Sequence, residues 1–177
     1  MDDLDMSTRG GMRRTLTTAR LDLAAFQPDD AEALHELFSD PQTHTIGNGP
    51  LRDIRETEHW ITRRQACRRD LGLCWYALRE RPTGRLVGNC GIFVGRTGPT
   101  EPEIGYEIRH DSQHRGYATE AATAVITECA RIGLPRVWAT VRPANTASLR
   151  VLHHLGMSFT RSETDEKGTL HYMSRVP

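Results

Sequence analysis

The sequence predicts a mixed α/β domain built around one central, mostly antiparallel sheet. Three observations predict this class. Strand-like runs at 74–79 and 86–94 flank a tight turn and should pair as a hairpin. A strand, a helix and another strand then follow over 101–141, and a right-handed crossover would make these two strands parallel. Two last strands, 157–161 and 169–176, are joined across a short turn.

Composition and charge narrow the class of protein. The 177 residues are 37% hydrophobic and 26% charged, which suits a single globular domain with a sizeable core. The formal net charge of +0 favours neither nucleic acid nor a membrane surface as a partner. No apolar run approaches the ~20 residues of a membrane span, and no signal-peptide core is visible, so we expect a cytoplasmic protein. Cysteine and histidine spacings predict no metal site, and Cys90 and Cys129 are expected to be core thiols.

The N-terminal third is expected to hold an extension, one strand and two helices. Residues 1–14 lack periodicity and are predicted to form a flexible extension, so that the domain begins at residue 15. Residues 16–26 are typical of a half-buried strand. Pro28-Asp29-Asp30 starts a helix that Asp40-Pro41 ends, with four residues on its apolar face: Ala31, Leu34, Leu37 and Phe38.

A glycine-rich loop at 43–53 precedes a second helix, predicted over 54–70. Trp60 and Ile61 are expected in the core. The other face of this helix carries four basic side chains: Arg63, Arg64, Arg68 and Arg69. Such a face is usually solvated surface, and the alternative is that it steers an anionic ligand or partner.

The third helix has the clearest pattern. Its apolar positions recur at intervals of four and three residues, and they are Ala118, Ala122, Val125, Cys129 and Ile132. Gly133-Leu134-Pro135 ends it, and the strand 136–141 follows. A short fourth helix opens at 143–148, turns Leu149, Leu152 and Leu155 inward, and stops at Gly156.

The turn before the third helix has the properties of an anion site. Residues 113–118 run from a strand-like segment directly into the helix start. Free N–H groups and the helix dipole favour negative charge there, and Gly116 removes a Cβ from the path of an approaching oxygen. The pattern is neither a P-loop nor the three-glycine dinucleotide fingerprint. We therefore expect a diphosphate site, and the alternative is a purely structural turn.

Taken together, several segments resemble the GCN5-related N-acetyltransferase (GNAT) superfamily over residues 18–176. They are most similar to its branch of ribosomal-protein-alanine and amine acetyltransferases. Each segment alone is weak, and their order and spacing make the set specific. The matching segments are Thr18-Ala19-Arg20-Leu21 with Asp29-Asp30-Ala31, Glu103-Ile104-Gly105-Tyr106, Gln113-x-x-Gly116-x-Ala118 continued by Thr119-Glu120-Ala121, and Asn145-x-x-Ser148 with Val151-Leu152 and Leu155-Gly156-Met157.

The resemblance implies the GNAT fold, a mixed sheet of six to seven strands with two splayed parallel strands and about four helices. It implies a single N-acetyltransferase domain over 15–177. Acetyl-CoA would enter the cleft between the splayed strands and pair its pantetheine with the main chain of residues 107–110. The implied cofactor-binding residues are Ile108, His110, Gln113, His114, Arg115, Gly116, Tyr117, Ala118, Thr119, Asn145 and Ser148.

Three residues carry the chemistry that the resemblance implies. Glu103 matches the family glutamate that accepts the amine proton, and Glu107 lies four residues on, so alternation places both on one strand face. The sequence leaves open which of them is the base, and an exposed strand-edge carboxylate is the alternative reading. Ser148 is the candidate acid for the departing thiolate. Asn145 either holds the pantetheine or the serine, or simply caps a helix.

The expected function is acetyl-CoA-dependent acetylation of a primary amine by direct attack in a ternary complex. The acceptor would be a protein N-terminus or a small amine, bound near 43–52 and the last hairpin turn. The alternative is a non-catalytic acyl-CoA-binding or regulatory module on the same fold. Either a monomer or a homodimer fits the sequence.

Overall fold

An eight-stranded sheet runs through the protein in the computed structural model, which describes residues 10–44 and 49–177. The strands are β1 (Thr15–Thr17), β2 (Leu21–Ala25), β3 (Trp75–Glu80), β4 (Leu86–Phe93), β5 (Glu103–Ile108), β6 (Val137–Val141), β7 (Ser158–Asp165) and β8 (Gly168–Arg175). Their spatial order is β1-β2-β3-β4-β5-β6-β8-β7. The predicted count of six to seven strands is too low because the run 16–26 turns back on itself, so that β1 pairs antiparallel with β2.

Four helices cover the sheet within the described residues, as predicted. They are α1 (Ala31–Ser39), α2 (Ile54–Leu71), α3 (Tyr117–Arg131) and α4 (Thr146–His154). A short 3-10 turn at Pro28–Asp30 leads into α1. Asp53 caps α2 in a capping box with Glu56, and Gly72 ends that helix with a φ of 68°.

The two sheet faces bury different cores. On one face, the apolar stripe of α3 packs against the strands in a cluster that includes the predicted core thiols Cys90 and Cys129, both fully buried. On the other face, α1 and α2 cover a second cluster rich in rings. We call its aromatic members the aromatic cluster: Phe26, Phe38, Trp60, Trp75 and Phe93.

The parallel strands β5 and β6 diverge, which confirms the predicted splay. All other neighbouring strand pairs in the described sheet are antiparallel. β5 and β6 share a single register pair, Glu103 with Trp138, and the Trp138 N–H donates to the Pro102 carbonyl at 2.9 Å. The rest of that edge of β5 is therefore not covered by β6.

The predicted extension 1–14 differs from the structure where the structure describes it. Residues 1–9 lie outside the described residues. Met12 is buried, and its N–H donates to the Gly72 carbonyl at 2.8 Å. The Tyr76 hydroxyl donates to the Arg13 carbonyl at 2.7 Å. Residues 11–13 are therefore packed against the domain.

Candidate acetyl-CoA and acceptor site

The start of α3 presents a run of unpaired backbone N–H groups. Gly116 is the N-cap with a φ of 80°, and His114 also has a positive φ, of 60°. The first intrahelical bond runs from the Glu120 N–H to the Gly116 carbonyl. None of the N–H groups of residues 114–119 has a hydrogen-bond partner within the described part of the chain. This cluster of donors, with the helix dipole behind it, suits an anionic group.

Long-range contacts fix the shape of this turn. Arg20 forms an ion pair of 2.6 Å with Glu120 and donates to the Arg115 carbonyl at 2.8 Å. Its guanidinium also lies 4.7 Å from the centre of the Tyr117 ring. The Tyr117 hydroxyl bonds to Glu80, so its side chain faces the body of the protein and its N–H faces the turn. Arg115 is exposed beside the turn, where its charge can reach an anion.

Two predicted cofactor residues use their main chain elsewhere. The Gln113 N–H donates to the His110 carbonyl at 3.3 Å, and the His110 N–H donates to the Thr43 hydroxyl at 2.9 Å. Neither N–H is free for a ligand, so the predicted donor run begins at residue 114 rather than at 113. The Gln113 side chain instead donates to the Ile108 carbonyl at 3.1 Å and holds the end of β5.

The uncovered edge of β5 supplies further main-chain groups to the cleft. Strand alternation turns every second residue toward one neighbour. The Pro102 carbonyl bonds to β6, whereas the Arg109 N–H bonds to β4. By this alternation the N–H groups of Tyr106 and Ile108 face the cleft. They are placed to donate to a carbonyl oxygen that gains negative charge.

Both predicted glutamates are buried on the face that α1 and α2 cover. Glu103 is 2% exposed and Glu107 is 8% exposed, so neither is the exposed strand-edge carboxylate that the sequence left open. The Glu103 carboxylate accepts from the Arg96 N–H and, at 2.9 Å, from the Thr140 hydroxyl on β6. Gly105 lies between the two glutamates, and a Cβ there would meet the Trp75 ring at 2.7 Å.

Glu107 has a partner that the sequence did not reveal. Nδ1 of His44 lies 2.8 Å from one carboxylate oxygen of Glu107 and 3.1 Å from the other. The two residues are 63 positions apart, and both are buried. A histidine in a polar loop carries no local pattern that predicts such a contact. The signal that the sequence offered was the position of His44 inside the predicted acceptor segment 43–52, of which residues 45–48 lie outside the described residues.

On the opposite face, Ser148 meets a tyrosine from β5. The hydroxyls of Ser148 and Tyr106 are 2.9 Å apart, and the Tyr106 hydroxyl also lies 3.2 Å from the Ser148 carbonyl. Burial raises the pKa of Tyr106, which therefore stays protonated at neutral pH. Asn145 accepts from the Ser148 N–H at 3.0 Å as the N-cap of α4. The helix-cap reading of Asn145 is the one that this geometry favours.

The basic face predicted for α2 is only partly a solvated surface. Arg64 lies inward against the aromatic cluster, with its guanidinium carbon 4.4 Å from the centres of the Trp60 and Trp75 rings and 5.0 Å from that of Phe93. Burial lowers the pKa of Arg64 to about 10. The prediction of a solvated face is therefore wrong for Arg64. Its position on the helix turns its side chain toward the rings rather than toward solvent.

The described ranges contain neither a cluster of metal-binding side chains nor a helix that could span a membrane. No three His, Cys, Asp or Glu side chains in residues 10–44 and 49–177 come together as metal ligands would. Across the same ranges, every helix falls short of the length or apolar character that crossing a membrane requires.

Comparisons with known proteins agree with the fold. Residues 20–158 match the family model described as an acetyltransferase (GNAT) domain. The uncharacterized protein YkkB of Bacillus subtilis is 31% identical over 154 residues, which cover 83% of this chain and 87% of YkkB. A solved acetyltransferase assigned to the GnaT family from Bordetella pertussis aligns with a TM-score of 0.82 at 22% identity, covering 93% of this chain and 100% of its own.

RimL, a ribosomal L7/L12 α-N-protein acetyltransferase solved in complex with coenzyme A, has the same fold. It aligns with a TM-score of 0.79 at 17% identity, covering 91% of this chain and 96% of its own. At this identity the likeness is one of architecture.

Proposed function

Because the chain belongs to the GNAT acetyltransferase family, we propose that it transfers an acetyl group from acetyl-CoA to a primary amine by direct attack in a ternary complex. One observation carries the proposal. The cleft between β5 and β6 has unpaired N–H groups at its α3 end and two buried carboxylates on its helix-covered face. An anionic coenzyme and a basic amine therefore find complementary groups on two sides of one strand.

The α3 turn is proposed to hold the diphosphate of acetyl-CoA. The N–H groups of residues 114–119 would donate to its oxygens, with Arg115 as a charged partner. The pantetheine would lie along the uncovered edge of β5 up to Ile108. The N–H groups of Tyr106 and Ile108 would then stabilise the thioester oxygen during attack. Acetyl-CoA supplies an activated acetyl group, and the protein supplies position and charge.

The acid–base roles follow from the two faces of β5. The amine nitrogen forms a bond to the acetyl carbon, the carbon–sulfur bond breaks, and the amine proton leaves toward the carboxylate face of Glu103 and Glu107. The Ser148 hydroxyl, paired with Tyr106, would give a proton to the departing thiolate and regain one from solvent. Holding the two substrates in line supplies much of the rate, of order 7–11 kcal/mol in favourable cases.

The acceptor is proposed to be a protein N-terminal α-amine or a small amine. An α-amine with a pKa of ~8 is partly neutral near pH 7, whereas a lysine-type amine near ~10.4 needs more help from a base. RimL acts on an α-amino group, and its shared fold supports including N-terminal peptides among the candidates. We place the reaction in the cytoplasm, with a monomer or homodimer as the working unit.

A direct test measures thiol release from acetyl-CoA with a panel of amines and confirms the product by mass spectrometry. The panel contains peptides beginning with alanine or serine, together with polyamines and simple alkylamines. We expect acetylated product from at least one amine class. Binding of acetyl-CoA without transfer to any of them would instead support the non-catalytic module. Glu103→Gln, Glu107→Gln and Ser148→Ala should each lower turnover while acetyl-CoA binding persists.

A further inference from the structure

His44 lies at the end of a fixed turn that delivers its ring to β5. The turn follows α1 and is closed by the Asp40 carbonyl, which accepts from the His44 N–H at 2.8 Å. The Thr43 hydroxyl donates to the Asp40 carboxylate at 2.5 Å and accepts from the His110 N–H at 2.9 Å. The Phe38 ring meets the imidazole edge-on at 5.2 Å. The imidazole is therefore held beside the strand that faces the cleft.

The contact with Glu107 determines which ring nitrogen carries the proton. When Glu107 is ionised, its carboxylate only accepts hydrogen bonds, and Nδ1 of His44 is then the donor. In the neutral imidazole Nε2 is then a proton acceptor. Among the described residues, Nε2 of His44 has no hydrogen-bond partner. The pair thus ends in a basic nitrogen whose orientation a buried carboxylate fixes.

Glu103 is less suited to the same task. Both of its oxygens are engaged, one by the Arg96 N–H and the other by the Thr140 hydroxyl. Taking up a proton there would weaken one of these bonds in a buried site. The Glu107–His44 pair gains a proton without losing its hydrogen bond, because Nδ1–H keeps donating to the carboxylate.

We propose that Nε2 of His44 accepts the proton of the acceptor amine, with Glu107 as the positioning residue that orients the ring. This inference rests on the proposed function and deepens it. As the nitrogen–carbon bond forms and the carbon–sulfur bond breaks, the amine proton moves to Nε2 and His44 becomes an imidazolium. Glu107 balances that charge in the buried site, and solvent takes up the proton after the product leaves.

Other charged groups surround this turn and enter any measured pH dependence. Glu107 and Glu103 lie on β5, Asp40 lies in the turn itself, and Arg109 forms an ion pair of 3.3 Å with Glu36 of α1. His110 follows β5 and is exposed. The part of the pH dependence of turnover that belongs to His44 must therefore be separated from the part that belongs to its charged neighbours. These neighbours are Glu36, Asp40, Glu103, Arg109 and His110.

The test compares His44→Gln with His35→Gln across pH, using the acceptor amine with the highest wild-type rate in the panel. His35 is a matched control, because its Nδ1 also bonds to a side chain, the Thr57 hydroxyl at 2.9 Å, between α1 and α2. General-base catalysis is typically worth ~100- to 10,000-fold. We expect kcat in His44→Gln to fall at least ~100-fold at pH 7, with acetyl-CoA affinity unchanged.

The pH profile separates a base from a merely structural residue. The loss in His44→Gln should shrink as pH rises toward the amine's own pKa, because more of the amine then binds already neutral and only the proton released during attack still needs an acceptor. Glu107→Gln should lower kcat, and the double variant should lose no more than His44→Gln alone. His35→Gln should keep the wild-type rate at every pH.

Two negative results have different meanings. If His44→Gln turns over as fast as wild type, or is slower by the same factor at every pH, the role of His44 is overturned. The proposed function is left standing by either result. Wild-type protein that binds acetyl-CoA but acetylates no amine overturns the proposed function, and the His44 assignment with it.

Discussion

Replacing Gly116 with alanine tests whether the α3 turn is a ligand site or only a turn. Gly116 has a φ of 80°, and an added Cβ would find Arg20 Nη2 at 3.4 Å as its nearest neighbour. The added methyl therefore meets little steric hindrance, and the cost is the left-handed conformation, ~1–2 kcal/mol. A chain of this length should lose roughly 2–8 °C in Tm.

Binding should suffer more than stability does. The methyl group would stand where a phosphate oxygen approaches the N–H groups of residues 114–119. A hydrogen bond to a charged group is worth about 1.5–3 kcal/mol, so losing one weakens acetyl-CoA binding about 10- to 150-fold. Isothermal titration calorimetry on the folded variant measures this directly.

Gly133 provides the matched control at the other end of the same helix. It has a φ of 69°, and no heavy atom lies within 4 Å of an added Cβ. Gly133→Ala should therefore show a similar loss of Tm with wild-type acetyl-CoA affinity. Our reasoning would be refuted if Gly116→Ala bound acetyl-CoA as tightly as wild type, or if Gly133→Ala weakened binding equally.

Three further changes test the site and its supports. Thr140→Val leaves one oxygen of the buried Glu103 without its donor and should cost ~1–3 kcal/mol in urea unfolding, whereas Thr140→Ser should recover most of it. The hydrogen bond from Arg142 lowers the pKa of Asp165 to about 2, below its unfolded value of ~3.9. The ionised Asp165 therefore stabilises the fold at pH values above ~3.9, and this contribution is lost as pH falls through about 2. In Arg142→Gln, an NMR titration should find the pKa of Asp165 raised toward ~3.9. Gly105→Ala overpacks the aromatic cluster and should lower the free energy of unfolding by ~1–3 kcal/mol. A urea unfolding curve identical to that of wild type would contradict this expectation.

The sequence predicted most of the elements because each carries a local signal. The stripe of α3 repeats at the helical period, and four of its five predicted positions are buried. The turn at 81–84 and the glycine at 133 end their elements where the composition indicated. The splay of β5 and β6 followed from the family resemblance, since no periodicity reports how two strands diverge.

The contacts that the sequence missed are all long-range. Met12 reaches the Cys74 N–H with its sulfur at 3.2 Å across 62 residues. His44 reaches Glu107 across 63 residues, and Tyr106 reaches Ser148 across 42. A buried polar pair becomes visible only when the tertiary fold brings its members together, because neither residue changes the local hydrophobic pattern.

The period of a strand explains how β5 could serve both ends of the reaction. Odd-numbered positions Glu103 and Glu107 face α1 and α2, on the side where the proposed mechanism removes the amine proton. The even-numbered Tyr106 faces the α3 side, where a hydroxyl pair with Ser148 can meet the leaving sulfur. A shift of β5 by one residue would exchange these groups between faces. In the present register Gly88 of β4 lies close to β5, since a Cβ on Gly88 would lie 2.3 Å from the Glu107 carbonyl oxygen. The register of two neighbouring strands thus keeps the proposed proton acceptor and the proposed proton donor on opposite faces of the sheet.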